Sequence, residues 1–137
     1  MAQILLTAAG TVILLMGTGH LVLTLRDVWT PTAFTPTDDS VRLAMQGAQL
    51  RFNRRINLWE SWLGFNLSHS MGAIMFGAAL LFAAQAHLGA FLESKALQAV
   101  AVLIPASYLV VAIRFWFWGP VLGLSVVLLC ILGAVLL

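Results

Sequence analysis

Residues 58–84 read "LWESWLGFNLSHSMGAIMFGAALLFAA". A helix needs about 20 predominantly apolar residues to cross the ~30 Å hydrocarbon core of a bilayer, and this run is long enough. Its second half is small and apolar. Its first half carries Glu60, Asn66, Ser68, His69 and Ser70. A segment that only crosses lipid has no use for such groups. The stretch therefore bears on the fold class and on the presence of a site.

Three further runs match it, at about 3–25, 96–118 and 119–137. Apolar residues make up 61% of the chain and charged ones 9%, against roughly 25% charged in soluble domains. Such a chain lacks the polar side chains to cover a water-soluble fold. The expected fold class is all-α, an integral membrane four-helix bundle. Its length of 137 residues suits one four-span domain. Strand-type alternation is absent, which argues against a β-barrel. The N-terminal run lacks a basic start and a small-residue cleavage site, so it reads as a retained span rather than a secretory signal.

Gly119-Pro120 is expected to separate the third span from the fourth, with Pro120 in the first turn of the new helix. Phe115, Trp116, Phe117 and Trp118 are placed as an interfacial aromatic belt. Pro105 falls inside the third span, where neighbouring helices can absorb a kink.

The basic residues are uneven. Arg26, Arg42, Arg51, Arg54 and Arg55 cluster around the first connection, and Arg114 flanks the third; the second carries only Lys95. The positive-inside rule puts the first and third connections in the cytoplasm and both termini outside, in a bacterial inner membrane. The first connection begins with the turn-like "TPTAFTPTDD". Thr37 or Asp38 can then cap a helix. Val41, Ala44, Met45, Ala48 and Phe52 recur at helical spacing, opposite Arg42, Gln46, Gln49 and Asn53. An amphipathic surface helix is expected over 38–55, its arginines facing anionic headgroups. Membrane lipid is the expected partner. A homo-oligomer or a larger membrane complex is the further expectation. The pattern of basic residues does not fit nucleic acid.

Ionisable groups in spans suggest function. His20, Glu60, His69 and Arg114 are such groups, and all fall in the cytoplasmic half of their spans. At 1.5 Å per residue, His20 lies about 8 Å inside its span end, Glu60 about 3 Å and His69 about 16 Å. Glu60 and His69 are nine residues apart and point to opposite sides of one helix, given about 100° per residue. Trp62, Asn66, His69 and Ala73 share one face. Glu60, Gly64, Ser68 and Met71 share the other. Gly64, Ser68 and Gly72 recur every fourth residue as a close-approach stripe, with Gly119 and Gly123 as a weaker one.

The bland reading makes Asn66, Ser68, His69 and Ser70 hydrogen-bonding glue between helices. It pairs Glu60 with Arg55 or Arg114. The sharper reading makes His20, Glu60, Trp62, Asn66, His69 and Arg114 a polar ligand-binding cluster. No catalytic set emerges: there is no phosphate loop, nucleophile elbow or His-Glu-x-x-His helix. No metal site is expected, since two histidines lack the further ligands zinc needs. Cys130 is alone in the last run and reads as a small hydrophobe. The expectation is no cofactor. The lesser alternative is haem b, for which His20 and His69 differ too much in depth.

"GTGH" in the first span, "WLGFNLSHSMG" in the second and "RFWFWGP" before the fourth resemble a family of small four-span bacterial membrane proteins of uncharacterised function. That resemblance covers most of the chain and implies architecture, not activity. The layout is also similar, in topology, to small sterol-ligand and isomerase-type four-helix proteins. It differs from small multidrug exporters, whose hallmark glutamate lies in the first span. The function expected is an accessory or scaffold subunit, or a protein binding an apolar ligand or lipid. The alternative is a small transporter or membrane enzyme using His20, Glu60, Asn66 and His69.

Overall fold

A computed structural model describes residues 1–137. The chain forms six helices and no sheet: α1 (Ala2–Trp29), α2 (Asp39–Gly47), α3 (Leu58–Ala86), α4 (Leu88–Glu93), α5 (Lys95–Phe115) and α6 (Trp118–Leu136). Four of them, α1, α3, α5 and α6, are long and apolar enough to cross a membrane. They are apolar around much of their circumference. Ile4, Leu15, Met75, Leu103, Val110 and Leu129 are all exposed, which suits a lipid-facing surface and not a water-facing one. The protein is an all-α integral membrane protein.

Packing divides the chain into two compact units, with both boundaries inside long helices: residues 1–16 with 73–137, and residues 17–72. The first unit holds the apolar core. Leu6, Ala9 and Ile13 of α1 meet Leu80 and Ala84 of α3, Ala101 and Ala112 of α5, and Leu124, Val127, Ile131 and Ala134 of α6. The three- and four-residue spacings along α1 and α6 put these side chains on one stripe of each helix. Here four helical segments share one apolar core, consistent with a four-helix bundle.

Backbones touch where α1 crosses α3 in this unit. A Cβ added to Gly77 would lie 2.8 Å from the Leu14 amide nitrogen and 2.9 Å from the Gly10 carbonyl oxygen. Small residues permit such crossings in membranes, where dispersion replaces the hydrophobic drive between helices. The expected stripe of Gly64, Ser68 and Gly72 does not serve this role: all three are exposed, and a Cβ on Gly64 meets nothing within 4 Å. Of the weaker pair, Gly123 does sit against the Met16 side chain, whereas Gly119 neighbours only Phe117 of its own segment. Repeat spacing marked small positions but could not say which face of α3 turns inward.

Two connections differ from expectation. The third ends α5 at Phe115 and restarts at Trp118, ahead of Gly119-Pro120. Pro120 thus sits in the first turn of α6, where its missing N–H costs nothing. The second connection contains α4, unanticipated because it is only six residues long. Its Phe91 is buried in the core. Gln98 of α5, itself buried, donates from Nε2 to the Leu92 carbonyl at 2.6 Å and the Phe91 carbonyl at 3.3 Å. These are carbonyls that the end of a helix leaves unpaired.

The second unit contains the end of α1, the first connection and the start of α3. Asp38 caps α2, its side chain accepting from the Ser40 amide at 2.8 Å. The Ser40 hydroxyl and amide hold the Asp38 carboxyl below the usual carboxylate range. The helix stops at Gly47, eight residues short of the expected 38–55 helix. Residues 48–58 form a tight hairpin instead: Leu58 N–H donates to Ala48 O at 2.8 Å and Leu50 N–H to Ile56 O at 3.2 Å. Asn53 explains the break, since its side-chain oxygen accepts from the Arg55 amide at 3.0 Å. Such local bonds compete with the helical ladder.

Candidate functional site

The two units have different interiors. Besides Gly17, the residues buried in the second are Thr24, Asp27, Asn66 and Ser70, with Trp59 as the one large apolar side chain. Buried polar groups need partners, and here each has one.

Asp27 lies in the last turns of α1. A carboxylate there opposes the helix macrodipole, so its place needs another explanation. The loop that follows supplies it. One carboxylate oxygen accepts from the Thr32 amide at 2.8 Å, the Thr32 hydroxyl at 3.0 Å and the Ala33 amide at 2.8 Å. The other accepts from the Phe34 amide at 2.6 Å and the Thr35 hydroxyl at 3.4 Å. Asp27 is 0% exposed. It gathers residues 32–35 around one buried charge, and the loop exists in this shape because of it.

The loop in turn carries Phe34 onto His20, with ring centroids 4.4 Å apart. Trp62 of α3 holds the same residue from another side, its indole N–H donating to the Phe34 carbonyl at 2.9 Å. One helical turn along α3, Asn66 donates from Nδ2 to the Trp62 carbonyl at 2.8 Å. That bond fixes the amide orientation, because a carbonyl can only accept. Asn66 Oδ1 therefore faces His20 Nε2, at 3.0 Å. His20 must therefore donate to it from Nε2. Ser70 donates to the Asn66 carbonyl at 2.7 Å, and Thr24 to the His20 carbonyl at 2.8 Å. His69 meets His20 edge-on at 5.4 Å and stacks on Phe65 at 5.9 Å.

Four of the six residues expected in a cluster thus converge: His20, Trp62, Asn66 and His69. The depth difference expected between the histidines, about 8 Å, shrinks to about 3 Å. Helix α1 runs on to Trp29, so His20 lies about 14 Å from its helix end and His69 about 17 Å from the start of α3, at 1.5 Å per residue. The apolar run stopped at Leu25, before Arg26 and Asp27, and the helix did not.

Glu60 stands apart. It is exposed, and it forms a capping box with Asn57: Glu60 N–H donates to Asn57 Oδ1 at 2.8 Å and Asn57 N–H to Glu60 Oε2 at 3.5 Å. Such reciprocal bonds satisfy amides that the start of a helix leaves open. Neither Arg55 nor Arg114 pairs with it; the ion pair in the chain is Arg42–Asp39. Arg114 belongs to the other unit, where its guanidinium lies 5.1 Å from the Phe115 ring centroid.

Asp27, Thr24 and Phe34 were not anticipated. The signal for Asp27 was present, an acid in the last turns of an apolar helix followed by a threonine-rich turn. Phe34 had none, since its contact depends on how the loop folds back.

The arrangement offers an imidazole pair, a primary amide and two aromatic rings in one place. It can donate and accept hydrogen bonds, exchange a proton and stack on a flat group. No three His, Cys, Asp or Glu side chains converge on a point. No family model, curated protein or solved structure matches the chain.

Proposed function

We propose that the protein binds an amphipathic, lipid-like ligand in the membrane, its hydrogen-bonding head at His20, Asn66 and His69 and its apolar body in the surrounding lipid. The observation that carries this reading is the polar interior of residues 17–72, closed over by the Phe34 loop. Inert glue needs matched partners, and Asn66 supplies them. It does not need an aromatic loop anchored on a buried carboxylate to cover an imidazole. The resemblance to small four-span bacterial membrane proteins belongs to the same proposal, as does a role as a subunit of a larger complex.

The test is to purify the protein in mild detergent and identify what its extract retains by mass spectrometry. Asn66→Leu and His69→Ala are expected to lower retention of one lipid-like species about tenfold, worth ~1.4 kcal/mol. Asn66→Leu takes the acceptor from the His20 N–H and should cost about 1–3 kcal/mol, so retention is compared well below the unfolding midpoint of each variant. Equal retention in parent and variants sinks the reading.

A second reading is favoured by the edge contact of His20 with His69. Two imidazoles in contact can pass a proton, as a small transporter or isomerase-type membrane enzyme requires. Proton uptake by proteoliposomes, lost in His20→Ala and His69→Ala alike, distinguishes it from passive binding. Haem b is separated from both by a Soret band in the purified protein.

The orientation proposed is a bacterial inner membrane with the arginine-rich first connection in the cytoplasm. A C-terminal alkaline phosphatase fusion should then be active and a green fluorescent protein fusion dark. The reverse pattern inverts the topology.

A further inference from the structure

The hairpin between α2 and α3 displays a feature the polar cluster does not use. Its neck is closed by the Leu58–Ala48 and Leu50–Ile56 bonds, and Asn53 N–H donates to Leu50 O at 3.2 Å across the tip. The tip carries Arg51, Phe52, Arg54 and Arg55 in five consecutive positions. All four are exposed, Phe52 at 86%. None of the three guanidiniums makes an ion pair, the one pair in the chain belonging to Arg42 and Asp39. The hairpin joins directly to the start of α3 at Leu58.

We propose that this tip is a docking element for anionic phospholipid, with Phe52 inserted at the interface and Arg51, Arg54 and Arg55 on lipid phosphates. The element feeds directly into a membrane-spanning helix, which keeps it near the bilayer surface. An unpaired basic triad is complementary to an acidic leaflet, and each arginine near such a surface contributes about fivefold to partition. Phe52 supplies the aromatic group that favours the headgroup level. The backbone bonds at the neck and across the tip hold the four residues in one short loop, so docking orders little further chain. The surface-binding element is thus the hairpin rather than the continuous helix that periodicity suggested. The inference stands independently of the ligand proposed for His20, Asn66 and His69.

The test uses the full-length protein in nanodiscs of phosphatidylcholine alone and of phosphatidylcholine with phosphatidylglycerol. Hydrogen exchange is read on peptides covering residues 50–56. Exchange there should slow about fivefold or more in the anionic discs, and the slowing should fade at high salt. Arg51→Gln, Arg54→Gln and Arg55→Gln together should abolish it, and Phe52→Ser should reduce it, while exchange in α5 and α6 stays unchanged. Equal exchange in the two disc types overturns the proposal. So does slowing by inorganic phosphate in neutral discs, which would make the tip a site for free anions.

Discussion

Asp27→Ala is expected to destabilise the protein by about 1–3 kcal/mol, since the loop donors gathered on it are left without their charged acceptor. Three amides and two hydroxyls, from Thr32, Ala33, Phe34 and Thr35, converge on that carboxylate. Water in the vacated space can satisfy only some of them. Asp27→Asn is the sharper variant, because it keeps size and one oxygen but turns an amide group toward donors. Both should speed hydrogen exchange across residues 30–36 and free Phe34 from His20. The binding proposal adds that ligand retention falls with them, although Asp27 touches no proposed ligand atom. Thermal unfolding in one detergent, with exchange on the same samples, checks this. Unchanged exchange at 30–36 in the alanine variant would show that the loop holds its shape by other means.

The second large effect concerns the crossing of α1 and α3 in the first unit. Gly77→Ala places a methyl against the Leu14 nitrogen and the Gly10 oxygen, which are backbone atoms and cannot swing away. The helices must part, at a cost of about 1–3 kcal/mol, and Gly77→Val should cost more. Gly64→Ala should do the opposite. Its methyl meets nothing, and alanine favours a helix over glycine by roughly 0.5–1 kcal/mol. Two glycines on one helix, substituted alike, thus shift the unfolding midpoint in opposite directions. A neutral Gly77→Ala would contradict the close crossing.

The same contrast shows what sequence spacing could deliver. Trp62, Asn66 and His69 were placed on one face by helical periodicity, and they occupy one site, because a single helix has a known pitch. The stripe of Gly64, Ser68 and Gly72 rested on the same pitch and failed, because pitch names a face without naming its neighbour. Charge alone assigns Glu60 to a polar cluster, whereas its place is set by a local backbone need, the open amides at the start of α3. The hairpin at 48–58 was hidden by Ala48 and Phe52, which happened to continue the apolar period of α2. Local turns around Asn53 outweighed a pattern with no core to bury it, since α2 has no buried residue.

The sequence alone determined the membrane class, the four spans and the all-α fold. Those follow from the cost of exposing backbone in lipid, which only helices of sufficient apolar length avoid in a chain without strand alternation. Tertiary structure alone decided that His20 meets Asn66 and His69, that Asp27 holds a loop against His20 and Trp62, and that Gly10 and Gly77 carry the helix crossing. Those outcomes depend on the rotation of one helix against another and on a loop folding back. Lipid is apolar on every side, so hydropathy cannot distinguish the face that turns to a partner from the face that turns to the bilayer.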